Sequence, residues 1–359
     1  MNIQQKLMRP NQRVKHILLI YPSKYGRTYW LAGRYPFEYL KRNKKIISFV
    51  EKRPYQVTSM DIKKADIIYC IRCACMHTKR ICMQARRMGK AMVYFVDDNF
   101  FIKPNEVTAR MQVNVNHARS LLSKVDATIV CSKTLYETVK AYCHNVLLLT
   151  AYQQFSVDMQ STTDMSTNQQ VTIGHMGSLY REMHFEFVTP AIQQIINKYG
   201  ERVRFEFIGF RPKGLAGNQN VTFFNYITDY KKFQKFFVSR HWDIGLAPLK
   251  DTLFARSKTN NKFREFSAIK VSGIYSDISC YNEWVEHKVT GYIADNKVAS
   301  WYHAMEELIL DEALRKHIAT NAYTFARENF SFHRYCKQMM DIFNEVYRCK
   351  SKNQNIFRI

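Results

Sequence analysis

The sequence predicts an α/β protein made of two Rossmann-like halves, each a doubly wound parallel sheet. Three observations predict it. At 359 residues the chain is too long for one ordinary domain and has material for two cores. Short apolar runs alternate with amphipathic helical stretches in both halves, as strands and crossover helices of a parallel sheet do. Between the halves, residues 151–170 (AYQQFSVDMQSTTDMSTNQQ) are polar, rich in Ser, Thr and Gln, and lack either period, as a linker does. The expected organisation is 1–150, a linker at 151–170, 171–330, and a C-terminal helix and tail at 331–359 able to pack back on the first half. Two such halves would face each other across a cleft.

In the first half, residues 14–21 (VKHILLIY) predict a strand, PSKYGRT a turn, and Tyr29 to Lys41 a helix. That first loop lacks G-x-G-x-x-G, which argues against a dinucleotide site there. Residues 66–71 (DIIYCI) predict a second strand, Thr78 to Met88 a helix closed by Gly89, and 91–96 (AMVYFV) a strand ending on Asp97 and Asp98. A helix over 105–124, a strand at 126–131, a helix from Lys133 to Tyr142 and a strand at 145–149 complete it.

The second half repeats the alternation. Val171 to His175 reads as a strand ending at Gly177-Ser178, Phe185 to Tyr199 as a helix closed by Gly200, and 203–208 (VRFEFI) as a strand ending at Gly209. A strand at 221–227 and a helix at 229–239 follow, then the buried run Ile244 to Ala247, closed by Pro248. The loop after that run lies at a strand's carboxyl end, where open α/β sheets bind ligands. Lys258 and Lys262 fall just before and inside the first turn of the next helix, whose free N–H groups already favour an anion such as phosphate. Helices at about 298–309, 311–328 and 331–347 end the pattern.

Charge narrows the partners. The net charge is +24, and residues 1–150 carry 27 Lys and Arg against 9 Asp and Glu, so most of the excess sits in the first half. This favours an anionic partner there, an acidic membrane surface or a nucleic acid; a solvated basic surface is the plainer alternative. The aromatic and basic stretch to put at a membrane is Tyr29, Trp30, Tyr35, Phe37 and Tyr39 interleaved with Arg34, Lys41, Arg42, Lys44 and Lys45, part of which must pack the core. No apolar run reaches the roughly 18 residues of a spanning helix, and the polar amino terminus does not read as a secretory signal. Nine cysteines without a framework fit reduced thiols. A cytoplasmic chain at the inner face of a membrane is the expectation.

Several pieces, in order, resemble the donor domain of GT-B glycosyltransferases, closest to the retaining group 1 or family 4 enzymes that use nucleotide sugars: VTIGHMGS at 171–178, RFEFIGF at 204–210, WDIGLAPL at 242–249, KFREFSA at 262–268, Ser276-Asp277, Asn282-Glu283 and Thr290-Gly291-Tyr292. YFVDDNFF at 94–101 and DATIVCSKTLYE at 126–137 are similar to acceptor-domain segments. The resemblance implies transfer of a sugar from a nucleotide-diphosphate donor to an acceptor hydroxyl, with retention and without a required metal or cofactor. Together with the basic first half, which suggests a glycan or lipid-linked acceptor at an anionic membrane face, the expectation is synthesis of a bacterial-type cell-surface glycan or glycolipid. The resemblance gives Lys262 to the diphosphate, Glu265 to the ribose, and Gly177 and Ser178 to the phosphate turn, with Lys258 and Arg181 as further cations on the leaving group. Asp97 and Asp98 fall on the acceptor side. His175, just before the turn, is either a substrate contact or a core histidine. The chain departs from the family pattern at Ser257, where a first glutamate is usual, and at Lys270 and Ser272, where a small residue and a proline are usual.

Competing readings remain for each feature. Lys258 and Lys262 also fit plain surface lysines, and Glu265 a helix-supporting partner of Lys262. Asp97 and Asp98 also fit helix caps or a metal site. Cys70, Cys73, Cys75, His77 and Cys82 offer zinc-type ligands without a second ligand pair, so buried thiols are the simpler reading. His16 and His184 are weaker contact candidates. At the level of the whole chain, the rivals are a non-catalytic GT-B-like protein and a basic nucleic-acid-binding protein, the latter without a recognisable binding motif.

Overall fold

The computed structural model describes residues 13–22, 27–101, 115–155, 170–177 and 182–352. The chain divides into two compact units. One comprises the chain to Ala151 together with the stretch from His333, and the other comprises Tyr152–Phe332.

Unit 1 contains β1 (His16–Ile20), β2 (Ser48–Lys52), β3 (Ile67–Ile71), β4 (Ala91–Phe95), β5 (Ala127–Val130) and β6 (Val146–Leu148) in a six-stranded sheet of order β2-β1-β3-β4-β5-β6. Every pairing is parallel. β3 and β4 are buried along their whole length, which is why they read as unbroken apolar runs. One face carries the helices Met76–Arg87, Val115–Leu122 and Lys133–Lys140, whose Ile81, Leu121 and Leu135 share a core with Leu18, Ile68 and Met92. On the other face the Phe343 ring of the C-terminal helix Phe332–Ser351 lies 5.2 Å from Tyr69 of β3.

Among the differences from expectation are β2 and the first helix. β2 was not anticipated: it is an edge strand with no fully buried residue, so SFVEK shows neither an apolar run nor an apolar alternation. The helix expected from Tyr29 to Lys41 is instead a short α-helical turn at Arg27–Tyr29, a π-helical turn at Trp30–Arg34 and an α-helix at Tyr35–Arg42. The wide turn brings Gly33 so close to the sheet that a β-carbon there would lie 2.9 Å from Ile71 Cδ1. Of the expected helix over 105–124, Val115–Leu122 is helical and 102–114 lie outside the described residues, as do 156–169 of the expected linker.

Unit 2 contains β7 (Val171–Met176), β8 (Val203–Ile208), β9 (Val221–Phe224), β10 (Ile244–Ala247), β11 (Ser272–Ser276) and β12 (Tyr292–Ala294), in a second six-stranded sheet of order β12-β11-β10-β7-β8-β9. It too is parallel throughout. The helices Val188–Tyr199 and Val298–Leu310 bury Ile192, Ile195, Trp301 and Leu308 on one face; Tyr230–Val238 and Asn261–Ala268 bury Phe237, Phe263 and Phe266 on the other. Glu206 of β8 is 1% exposed yet satisfied, accepting from Arg240 Nε at 2.9 Å, Arg240 Nη2 at 2.6 Å and Trp242 Nε1 at 2.8 Å. Among the described residues no helix is long and apolar enough to cross a membrane.

Candidate functional site

The sheet of unit 2 reverses direction between β7 and β10. From β7 the chain builds outward through β8 and β9, then crosses back to place β10 on the opposite side of β7. Such a reversal opens a crevice at the carboxyl ends of the two strands, because their connections leave on opposite faces. Gly177 follows β7, and the stretch from Pro248 to Lys262 follows β10.

Hydrogen bonds fix both. Gly177 N donates to Ile208 O at 3.0 Å, and a β-carbon on neighbouring Gly209 (φ +76°) would sit 2.5 Å from Gly177 O, so only glycine fits there. After β10, Leu249 N donates to Ser276 Oγ at 2.8 Å and Leu249 O accepts from Asn296 Nδ2 at 2.9 Å. Lys250 N donates to His184 Nδ1 at 3.0 Å. The loop is therefore held rather than left to solvent.

The helix Asn261–Ala268 then presents Lys262 and Glu265, one turn apart on the same side, with Lys262 Nζ 2.7 Å from Glu265 Oε2. The Lys262 side chain is 15% and the Glu265 side chain 8% exposed, so this is a largely desolvated pair and not two surface charges. Arg264 anchors the same helix from within, its guanidinium donating to Asn260 Oδ1 at 3.0 Å and also to Asn261 Oδ1 and Tyr152 O. Lys258 lies in the bend before the helix, its Nζ 4.4 Å above the Phe254 ring. His175 is 2% exposed, packed at 4.7 Å on Phe185, with Nδ1 2.8 Å from Leu246 O. Since a carbonyl only accepts, Nδ1 carries the proton, and the imidazole ties β7 to β10 beside the crevice. Ser178 and Arg181 lie outside the described residues.

Unit 1 has its own reversal, between β1 and β3, and there the sequence reading missed a residue. Arg72 directly follows β3 in the left-handed conformation (φ +54°), an arrangement rare for a long side chain. Its guanidinium grips both carboxylates expected on the acceptor side, Asp97 through Nε and Asp98 through Nη2 at 2.6 Å. Thr28 Oγ1 adds a bond to Asp97 Oδ2 at 3.1 Å. Burial works against the Arg72 cation, but the two aspartates outweigh it and hold the guanidinium more firmly protonated than usual. Burial raises the Asp97 carboxyl above the ordinary range, Arg72 opposing and Asp98 adding to the shift. No signal in the sequence links Arg72 to residues 25 positions away. Among the described residues no cluster of three His, Cys, Asp or Glu side chains is set to hold a metal; Cys70, Cys73 and Cys82 are buried thiols. His16 bonds Ser48 Oγ at the amino ends of β1 and β2, away from the carboxyl edge.

No family model and no curated protein matches the sequence. Solved structures do match over nearly the whole chain. Sucrose-phosphate synthase from Thermosynechococcus elongatus superposes with a TM-score of 0.66 at 12% identity, covering 93% of this chain and 100% of that one. Anabaena HepE in complex with UDP-glucose gives 0.64 at 14%, covering 92% and 99%, and a glycosyltransferase from Rickettsia africae gives 0.64 at 13%, covering 92% and 98%. The fold is that of GT-B glycosyltransferases.

In this GT-B chain each position that departs from the family pattern has a local structural occupation. Ser257 is fully buried and donates from Oγ to Leu253 O at 2.7 Å, ending the short helix Leu253–Arg256. Lys270 adopts φ +55° just past the Asn261–Ala268 helix, and its ammonium lies 5.2 Å from the Tyr323 ring centre. That is the position where glycine or asparagine commonly terminates a helix, so lysine here carries a backbone cost. Ser272 opens β11 and is 1% exposed.

Proposed function

We propose that the protein is a glycosyltransferase that moves a sugar from a nucleotide-diphosphate donor to an acceptor hydroxyl with retention at the anomeric carbon. The observation that carries the reading is the desolvated Lys262–Glu265 pair beyond β10, on one side of the unit 2 strand reversal, with the Gly177 turn on the other. The nucleotide sugars seen with structurally similar proteins, such as UDP-glucose in HepE, suit this arrangement.

Each residue takes a role its chemistry allows. The backbone at Gly177 and the positive end of the Asn261–Ala268 helix receive diphosphate oxygens. Lys262 and Lys258 stabilise the charge that grows on the leaving diphosphate as the glycosidic bond lengthens. Glu265 accepts from the two ribose hydroxyls, with Lys262 beside it at 2.7 Å. His175 holds β7 against β10, and Ser178 and Arg181 complete the phosphate turn. In unit 1, Asp97 and Asp98, aimed by Arg72, receive acceptor hydroxyls. No metal is needed in this scheme, because lysines and helix-terminal N–H groups supply the positive charge.

The basic first half supports an acceptor that is a glycan or lipid-linked sugar at the inner, anionic face of a membrane, within synthesis of a cell-surface glycan or glycolipid. Tyr29 and Phe37 are buried in the core, so of the aromatic set expected at that face only Trp30, Tyr35 and Tyr39 retain exposure. The deciding experiment incubates the chain and its Lys262→Ala and Glu265→Ala variants with a panel of sugar nucleotides, reading donor hydrolysis and protection from unfolding. Protection by one donor, lost in both variants, is expected. Binding of nucleic acid with no response to any donor overturns the transferase reading, and donor binding without turnover on any acceptor leaves a non-catalytic GT-B protein.

A further inference from the structure

Unit 1 has a cavity of about 790 Å³ at the amino-terminal edge of its sheet, the opposite edge from Arg72, Asp97 and Asp98. It lies among the entry to β1, the loop that follows the helix Tyr35–Arg42, and the first turns of the helix Phe332–Ser351. Val14, Leu40, Ile46, Cys336 and Met340 form a buried apolar floor. The rim is cationic: Arg13, Lys15, Lys44, Lys45 and Lys337 surround the opening. Only one carboxylate joins them, Asp341, and Lys337 Nζ already holds it at 3.2 Å.

Arg13, Lys15, Lys44 and Lys45 have no ion-pair partner among the described residues, and residues 1–12 contribute Lys6 and Arg9 to the sequence but no carboxylate. Lys44 sits at φ +54°, a left-handed turn that a lysine adopts only at a cost. Beside the rim Ile47 is 59% exposed. His333, in the first turn of its helix, shares a bond of 2.7 Å with Tyr39 OH at the mouth. Unpaired cations over an apolar floor, with an exposed aliphatic side chain alongside, match a phosphate attached to a hydrocarbon body. They match a polar anion poorly, since it would leave the apolar floor exposed to water, and a neutral apolar ligand poorly, since it would leave the cations unanswered.

We propose that this cavity receives the phosphate headgroup of an anionic lipid, with Ile47 entering the acyl region, and so docks unit 1 on an anionic bilayer. The inference rests on the membrane reading above and gives it an address on unit 1, at the sheet edge opposite Arg72, Asp97 and Asp98. The test is sedimentation with vesicles of phosphatidylglycerol and phosphatidylcholine, compared with phosphatidylcholine alone. The wild-type chain, a Lys44→Gln/Lys45→Gln variant and a Lys231→Gln/Lys232→Gln variant, which removes equal charge from the exposed side of a unit 2 helix, are run together, with circular dichroism and Tm as folding controls. The pocket variant is expected to bind the anionic vesicles about 30-fold more weakly, the control variant within about threefold of wild type.

Equal loss in both variants means net charge alone drives binding and overturns the pocket. Wild-type binding that the pocket variant retains overturns the pocket but leaves the membrane reading standing. No sedimentation of the wild-type chain brings down both. A rise in Tm with inorganic phosphate as large as that with anionic vesicles assigns the site to a soluble phosphate and refutes the lipid. Loss of single-stranded RNA binding in the pocket variant, with vesicle binding unchanged, does the same in favour of RNA.

Discussion

Arg72→Met removes the one cation that bridges Asp97 and Asp98 and leaves two neighbouring carboxylates facing each other at the end of β4. Breaking a fully buried ion pair by removing one partner costs about 3–5 kcal/mol. Here the Arg72 and Asp97 side chains are each 23% exposed, so solvent screens part of the interaction. A loss of about 3 kcal/mol at neutral pH is therefore expected, the lower end of that range. Methionine keeps the aliphatic stem but does not relieve the left-handed backbone, so the loss reports charge and not conformation.

The pH dependence has a definite sign. Burial already raises the Asp97 carboxyl in the wild type, and removing Arg72 raises it further. The native variant then takes up a proton at a higher pH than the unfolded chain, whose aspartates titrate near about 3.9. A state that binds more protons gains as pH falls, so the deficit against wild type shrinks between about pH 7.5 and pH 5. Urea denaturation followed by intrinsic fluorescence at several pH values measures it. A deficit that stays constant over that range, or one below about 1 kcal/mol throughout, refutes the account of Arg72 as the clamp on these carboxylates.

Under the proposed function, Glu265→Ala should weaken binding of the sugar nucleotide that protects the chain by about 10- to 100-fold, since each hydrogen bond to a charged group contributes about 1.5–3 kcal/mol. Calorimetry reads it, and an unchanged Kd beside a lowered Tm confines Glu265 to supporting its helix. Gly174→Ala should destabilise unit 2 by about 3 kcal/mol or prevent folding, because the new β-carbon would lie 2.0 Å from the Trp242 ring. A variant with wild-type Tm and unshifted tryptophan fluorescence contradicts that packing. Burial pushes the thiols of Cys280 and Cys336 up to about 12 and that of Cys82 to about 11, whereas Cys75 and Cys131 are only half-buried. Iodoacetamide on the native chain, mapped by mass spectrometry, should modify Cys75 and Cys131 well before the other three, and equal rates would contradict the described burial.

What could be read from the sequence was what local periodicity encodes. β3, β4 and β10 are continuous apolar runs because both faces of a parallel sheet are covered, and Lys262 follows the last of them in the chain. Edge strands lose this signal. β2 has one face and one side open, and β12 is three residues long. The π-helical turn at Trp30–Arg34 has no local signal, because what it accommodates is the close approach of Gly33 to Leu19 and Ile71, residues on other elements. Arg72 was invisible for the same reason, since its importance lies in two aspartates it meets only through β3–β4 pairing. His175 was left between two readings, and the bond to Leu246 O that describes it spans 71 positions.

The strand reversal in unit 2 divides the proposed donor site between two stretches of chain. Gly177 belongs to the half running from β7 through β9, and Lys258, Lys262 and Glu265 to the half running from β10 through β12. Under the proposed function, changes in the loop from Pro248 to Asn260 would alter one side of that site while the first half, with its close Gly177–Gly209 approach and the Glu206 network, stays intact. Such a chain is suited to drift far in sequence without losing its architecture. That is the condition in which a protein at 12–14% identity still superposes on its structural relatives along more than nine-tenths of its length.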